Sequence, residues 1–226
     1  MKTKFQSFYQ IIYYSFFLIC FFFSANLEAQ ISIGVKGGYS NAWEDYGDVE
    51  LPEDAQIDVK GYYVSILSYL KINKHLQVGI EPGFVQRGAA CIPGFNPFIG
   101  DTEFRLNYIE LPLMVRGNFS FAKERLEVFG KVGYGGSMVA KGTEVLTIIG
   151  SDEPPEETEI DFQNQFSSLN KYDHGLYGGF GFGFNFGKNQ LFVEGNYYHG
   201  MRDFDNNNTS KNRSLQIGIG FIRKIK

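Results

Sequence analysis

The stretch Phe180-Gly-Phe-Gly-Phe-Asn-Phe186 constrains this chain more than any other segment. Extended backbone sends successive side chains to opposite faces, so Phe180, Phe182, Phe184 and Phe186 would all stand on one side of a strand. The other side carries only Gly181, Gly183 and Asn185. In water such an aromatic wall must be buried under a second layer. In a bilayer, lipid covers the wall and the inside of a closed barrel accepts the small and polar residues. Whether the rest of the chain repeats the pattern decides between these settings.

It does repeat. Eight alternating runs can be marked, at 31–40, 60–72, 75–88, 104–118, 124–140, 175–186, 190–202 and 213–223. The first sets Ile31, Ile33, Val35 and Tyr39 against Ser32, Lys36 and Ser40, and the last sets Leu215, Ile217, Ile219 and Phe221 against Ser214, Gln216, Gly218 and Gly220. Connections after the even-numbered runs are short: 73–74, 120–123 and 187–189. Those after the odd-numbered runs are long: 41–59, 89–103, 141–174 and 203–212. An even strand count with short turns at one end and long loops at the other belongs to bacterial outer-membrane barrels. The expected fold is therefore all-β, an eight-stranded antiparallel up-and-down transmembrane β-barrel with short periplasmic turns and long external loops. Tyr39, Tyr62, Phe84, Tyr134 and Tyr197 would form an external aromatic girdle, and Phe119, Phe184, Phe186 and Phe221 a periplasmic one.

Residues 1–29 read as a secretory signal peptide. Lys2 and Lys4 precede the apolar stretch 11–23, and Leu27-Glu28-Ala29 offers a small residue at the cleavage point. That stretch is short for a membrane helix, and no later segment is apolar for long enough. The barrel domain is expected over 30–226. Cys20 falls within the signal, which leaves Cys91 as the one remaining thiol and excludes an internal disulfide. The formal net charge of -4 argues against nucleic acid as a partner.

The inward faces carry Lys36, Glu81, Arg87, Glu110, Arg116, Lys131 and Glu194. Eight strands enclose an interior just wide enough for side chains, and buried charges need partners. These seven residues are therefore expected to form a structural polar network filling the lumen. Glu81 and Glu110 fall near mid-height on adjacent strands, and Lys131 is the cation expected beside them.

No catalytic, cofactor or metal site is expected. His75, His174 and His199 are scattered without metal-ligand spacing. The strings Gly133-Tyr134-Gly135-Gly136 and Gly178-Gly179-Phe180-Gly181 lie inside strands, whereas phosphate-binding loops open a helix. The segment 203–207 begins like a calcium loop but lacks the required glycine and terminal glutamate. A lipid-modifying enzyme at the rim would need His174 or His199 bonded to a carboxylate, with Asp173 and Asp203 nearby, and a hydroxyl. A lipocalin-like soluble barrel holding an apolar ligand would need the Phe180–Phe186 wall turned inward.

Two long loops are acidic. One holds Glu44, Asp45, Asp48, Glu50, Glu53, Asp54 and Asp58, the other Asp152, Glu153, Glu156, Glu157, Glu159 and Asp161. They fit a solvated external surface, or one bridged by divalent cations to anionic lipopolysaccharide.

The segment Asn107-Tyr-Ile-Glu-Leu-Pro-Leu113 resembles the fourth strand of the PorT-like outer-membrane β-barrel family of Bacteroidetes-type bacteria. Gly34-Val-Lys-Gly-Gly38, Gly130-Lys-Val-Gly133, Leu191-Phe-Val-Glu-Gly-Asn-Tyr197 and Gly218-Ile-Gly-Phe221 resemble its other strands in the same order. The resemblance implies an outer-membrane barrel whose partners are outer-membrane lipid, the barrel-assembly machinery and proteins at the external loops. For the family's namesake it implies an accessory role in protein secretion. One departure is the chain end. Outer-membrane strands usually close on an aromatic residue, whereas Phe221 is followed by Ile222-Arg-Lys-Ile-Lys226.

Overall fold

The computed structural model describes residues 30–47, 56–91, 101–148, 154–162, 169–205 and 210–225. The expected signal peptide lies outside the described residues, as do Asp48, Glu50, Glu53, Asp54, Asp152, Glu153 and positions 206–207 of the calcium-like segment.

Eleven strands follow one another without a helix among the described residues: β1 (Ile31–Asp45), β2 (Gln56–Ile57), β3 (Val59–Asn73), β4 (Leu76–Ile80), β5 (Gly83–Cys91), β6 (Asp101–Phe121), β7 (Leu126–Thr147), β8 (Glu156–Glu159), β9 (Tyr172–Phe186), β10 (Asn189–Asp203) and β11 (Lys211–Ile225). All pairings are antiparallel. β1 pairs with β3 on one side and with β11 on the other, so the sheet closes on itself as a ring of eight staves. Closure removes the edges that an open sheet would expose.

β4 and β5 are two halves of one stave, because both pair with β3 and with β6. The ladder lapses at Glu81-Pro82, where proline has no N–H to donate. The backbone there is still held, with the Glu81 amide donating to the Pro112 carbonyl (3.1 Å) and the Ile66 amide to the Pro82 carbonyl (2.9 Å). The alternation survives the gap: Glu81, Val85 and Arg87 are buried while Ile80 is exposed.

β6 and β7 run far past the ring at the long-loop end. Their register slips once, between Asn107↔Lys141 and Tyr108↔Val139, which leaves Ala140 as a β-bulge. Beyond the bulge, β8 takes over as the partner of β7 through Thr143↔Glu159 to Leu146↔Glu156. The sheet that runs on past the bulge is β2–β5–β6–β7–β8, with β5 paired to β6 as far as Cys91↔Thr102. The alternating run read from sequence ends at 140 for the same reason: a bulge reverses which residues face which side.

The inner and outer faces follow the side-chain period. Phe180, Phe182, Phe184 and Phe186 stand on the outer face, 65%, 56%, 49% and 45% exposed. Aliphatic residues flank them on that face, among them Val128, Val132, Val193, Ile217 and Ile219. The inner face is packed with rings as well as charges. Phe129 and Phe192 meet edge-on at 5.7 Å, and the inward glycines leave space for them. A Cβ on Gly181 would lie 2.4 Å from the Phe129 ring, and one on Gly220 would lie 2.2 Å from the Phe192 ring. Glycine on one stave is thus the hole for an aromatic knob from another.

Candidate functional site: lumen, girdles and rims

Every one of Lys36, Glu81, Arg87, Glu110, Arg116, Lys131 and Glu194 is buried inside the ring. They form three separate layers. In the middle layer Lys36 donates to Glu81 (2.5 Å) and Glu194 (2.7 Å), while Lys131 reaches Glu81 (3.1 Å) and Glu194 (2.8 Å). Two cations and two carboxylates therefore alternate around a closed square. The Tyr69 hydroxyl donates to Glu81 and the Asn196 amide to Glu194 (2.7 Å), so each carboxylate gains a further donor.

Toward the long-loop end, Arg87 donates to Glu110 at 2.5 Å and stacks on Tyr198, 3.8 Å from the ring centroid. The Tyr177 hydroxyl donates to the same carboxylate at 3.1 Å. Toward the short-turn end, Arg116 donates to Glu127 (2.9 Å) and Gln190 (2.8 Å) and lies 3.8 Å from the Phe129 ring centroid. Planar guanidinium groups suit this work, because one face stacks on an aromatic ring while the edge donates to a carboxylate.

Lys131 sits beside Glu81 but not beside Glu110, whose cation is Arg87. The register explains the difference. Glu110 is opposite Ser137 on β7, so Lys131 lies six residues nearer the short-turn end, about 20 Å of strand. Glu127, Gln190 and the inward tyrosines complete the layers. Glu127 and several tyrosines lie on the polar face of the alternating runs, so parity alone could have added them to the network. Their pairing could not be read that way.

Apart from Phe180 and Phe182, which stand near mid-height on β9, the outer-face aromatic residues gather toward the two ends. Tyr62 stacks on Phe84 at 5.7 Å and Trp43 lies 6.2 Å from Tyr197 at the long-loop end. At the short-turn end Phe184, Phe186 and Phe221 form a chain with spacings of 6.2 and 6.4 Å. His174 and His199 join the first group, their rings 6.0 Å from Tyr134 and 6.4 Å from Tyr197. Among the described residues neither ring is hydrogen bonded to a carboxylate. Asp173 turns inward instead, accepting from the Asn212 side chain (3.1 Å) and from the His174 backbone amide (2.7 Å). No group of three or more metal-ligating side chains occurs among the described residues. The wall outside and the charges inside are the reverse of what a barrel holding an apolar ligand in its lumen requires.

Above the girdle, polar contacts tie the staves together at the rim. Ser210 donates to Glu44, and Arg213 pairs with Asp45 at 2.8 Å while also donating to the Gly200 carbonyl. The Gly47 backbone amide, helped by Arg213, holds the Asp45 carboxyl below its usual value.

The sequence profile described as outer membrane protein beta-barrel domain matches residues 23–206. No curated protein gives a significant match. Among solved structures, Neisserial surface protein A is similar at 13% identity, with 86% of this chain and 97% of that chain covered and a TM-score of 0.50. Ail, the attachment invasion locus protein of Yersinia pestis, is similar at 17% identity, with 87% and 99% covered and a TM-score of 0.40. The outer membrane protease OmpT from Escherichia coli is similar at 11% identity, with 87% and 96% covered and a TM-score of 0.37.

Proposed function

Because the chain belongs to the outer membrane protein beta-barrel domain family, we propose that it is a structural or interaction protein of the outer membrane that works through its external end. In this reading it is neither a wide pore nor an enzyme. One contrast carries the proposal. Ion-paired side chains occupy the lumen at three heights, whereas β6, β7 and β8 run on beyond the ring, with all four residues of β8 exposed to solvent. Short turns mark the periplasmic end of such barrels and long loops the external end, so in this reading the sheet belongs to the cell surface.

The projecting sheet is acidic. Glu156, Glu157 and Glu159 are exposed on β8, and Arg105 bridges Glu103 (2.8 Å) and Glu157 (3.7 Å) at its base. An exposed acidic strand attracts a cationic partner surface, and the attraction weakens as salt rises. Chemical cross-linking on intact cells tests the reading. We expect an adduct with a second protein that is lost when Glu156, Glu157 and Glu159 are changed to lysine. Absence of any adduct with the unaltered protein would remove the interaction role. A narrower version makes the barrel an accessory of protein secretion. Deleting its gene and surveying exported proteins checks that version, and an unchanged set of secreted proteins rejects it.

A further inference from the structure

The periplasmic end carries a feature that the lumen network and the external sheet leave unused. A cavity of about 410 Å³ opens at the rim between the β6–β7 turn, the β9–β10 turn and the end of β11. Lys123 and Arg125 line it from the first turn and Lys224 from β11, with Ser120 and Asn185 beside them. Glu124 is the one acid in the lining. Among the described residues none of the three cations is paired with a carboxylate, in contrast to the buried cations of the lumen.

The turn that presents these cations is an unusual one. Ala122, Lys123 and Glu124 have φ values of 50°, 58° and 64°, three consecutive left-handed residues without a glycine. Side chains make that conformation costly, and it persists only where the surroundings enforce it. Asn185 enforces it here. Its side-chain amide donates to the Glu124 carbonyl (2.9 Å) and its backbone amide to the Arg125 carbonyl (2.7 Å). Gln190 holds Asn185 in turn through a 3.0 Å bond and also accepts from Arg116, so the turn is anchored to the lumen network.

The other wall of the cavity is aromatic. Phe184 and Phe186 line it while belonging to the girdle that meets lipid. The strand that continues past Phe221 also finds a use here. The Lys224 backbone amide donates to the Lys188 carbonyl (2.8 Å), which fixes the end of β11 against the β9–β10 turn and places Lys224 at the cavity.

Three unpaired cations next to a membrane-facing aromatic belt match one ligand chemistry. We propose that this cavity binds the headgroup phosphate of an anionic phospholipid of the periplasmic leaflet. Lys123, Arg125 and Lys224 meet the phosphate, and Phe184 and Phe186 meet the glycerol and upper acyl carbons. A lipid satisfies both walls, whereas free phosphate satisfies only the cations.

Native mass spectrometry of the delipidated barrel tests this, with phosphatidylglycerol, phosphatidylcholine and inorganic phosphate as separate probes. We expect phosphatidylglycerol to be retained in preference to phosphatidylcholine by about tenfold, a modest factor for three basic residues at a membrane surface. The triple variant K123Q/R125Q/K224Q should abolish that preference. The variant K71Q/K74Q, which removes charge at the neighbouring periplasmic turn, should keep it. Heat-modified migration on a gel verifies that each variant is folded. Equal retention by the triple variant, or equal loss in K71Q/K74Q, would overturn the proposal. So would displacement of the lipid by millimolar inorganic phosphate, which would show an ion site indifferent to the membrane.

Discussion

Lys131 donates to two carboxylates and Lys36 donates to the same two, so the middle layer is neutral only as a set of four. Removing one member leaves an uncompensated charge where water is scarce, a loss of about 3–5 kcal/mol. We therefore expect Lys131→Met to lower the unfolding free energy of the barrel, from urea titration in detergent, by that amount. The double variant Lys131→Met/Glu194→Gln restores neutrality and should recover much of the loss. Equal destabilisation by the single and double variants would show that packing, not charge balance, holds this layer. That these side chains face inward was readable residue by residue, because parity along each strand decides it, whereas their division into layers was not. Nor were the partners. Cross-lumen contacts depend on how far each stave is staggered against the next, and alternation carries no information about stagger. Glu110 illustrates the gap: its nearest cation, Arg87, lies 23 residues back in the chain and four pairs up the neighbouring stave.

At the scale of the strand, β9 offers a direct comparison between the two faces. Its inward Gly181 has the Phe129 ring where a side chain would go, whereas its outward Gly178 has nothing within 4 Å. Gly181→Val should cost about 1–3 kcal/mol through overpacking, read as a lower denaturation midpoint. Gly178→Val should change the stability by less than about 0.5 kcal/mol, since it adds an apolar side chain on the lipid side. Equal effects at both positions would mean that the outer face of β9 is covered by something other than lipid. Strand existence and facing were legible because Phe180-Gly-Phe-Gly-Phe-Asn-Phe186 and its counterparts alternate over most of their length. The interruptions were legible only in part. Pro82 sits visibly inside a run, but its effect, two short strands on one stave held by the Glu81 amide on the Pro112 carbonyl, depends on a register that alternation does not reveal. The bulge at Ala140 appears in the sequence as the end of an alternating pattern, while the strand itself continues to Thr147.

For the whole molecule, the three lumen layers act in series. A solute crossing the barrel must pass Arg87–Glu110, then the Lys36–Glu81–Lys131–Glu194 square, then Arg116–Glu127, and Tyr198, Tyr69 and Phe129 fill space beside them. Opening any one layer separates buried opposite charges, which is costly in a low-dielectric interior. An ion would also have to shed water at each constriction, because an eight-stranded ring leaves little room beyond its side chains. The purified protein in a planar bilayer should therefore carry no steady current above the leak of the bare membrane. It should still show heat-dependent gel migration that reports an intact barrel. Truncating one layer does not open a path while the other two stand, so Lys131→Met should remain as silent as the parent despite its lower stability. A discrete steady conductance from the unaltered protein would mean that the layers rearrange together in the membrane, and the reading as a closed, surface-acting barrel would fall with it.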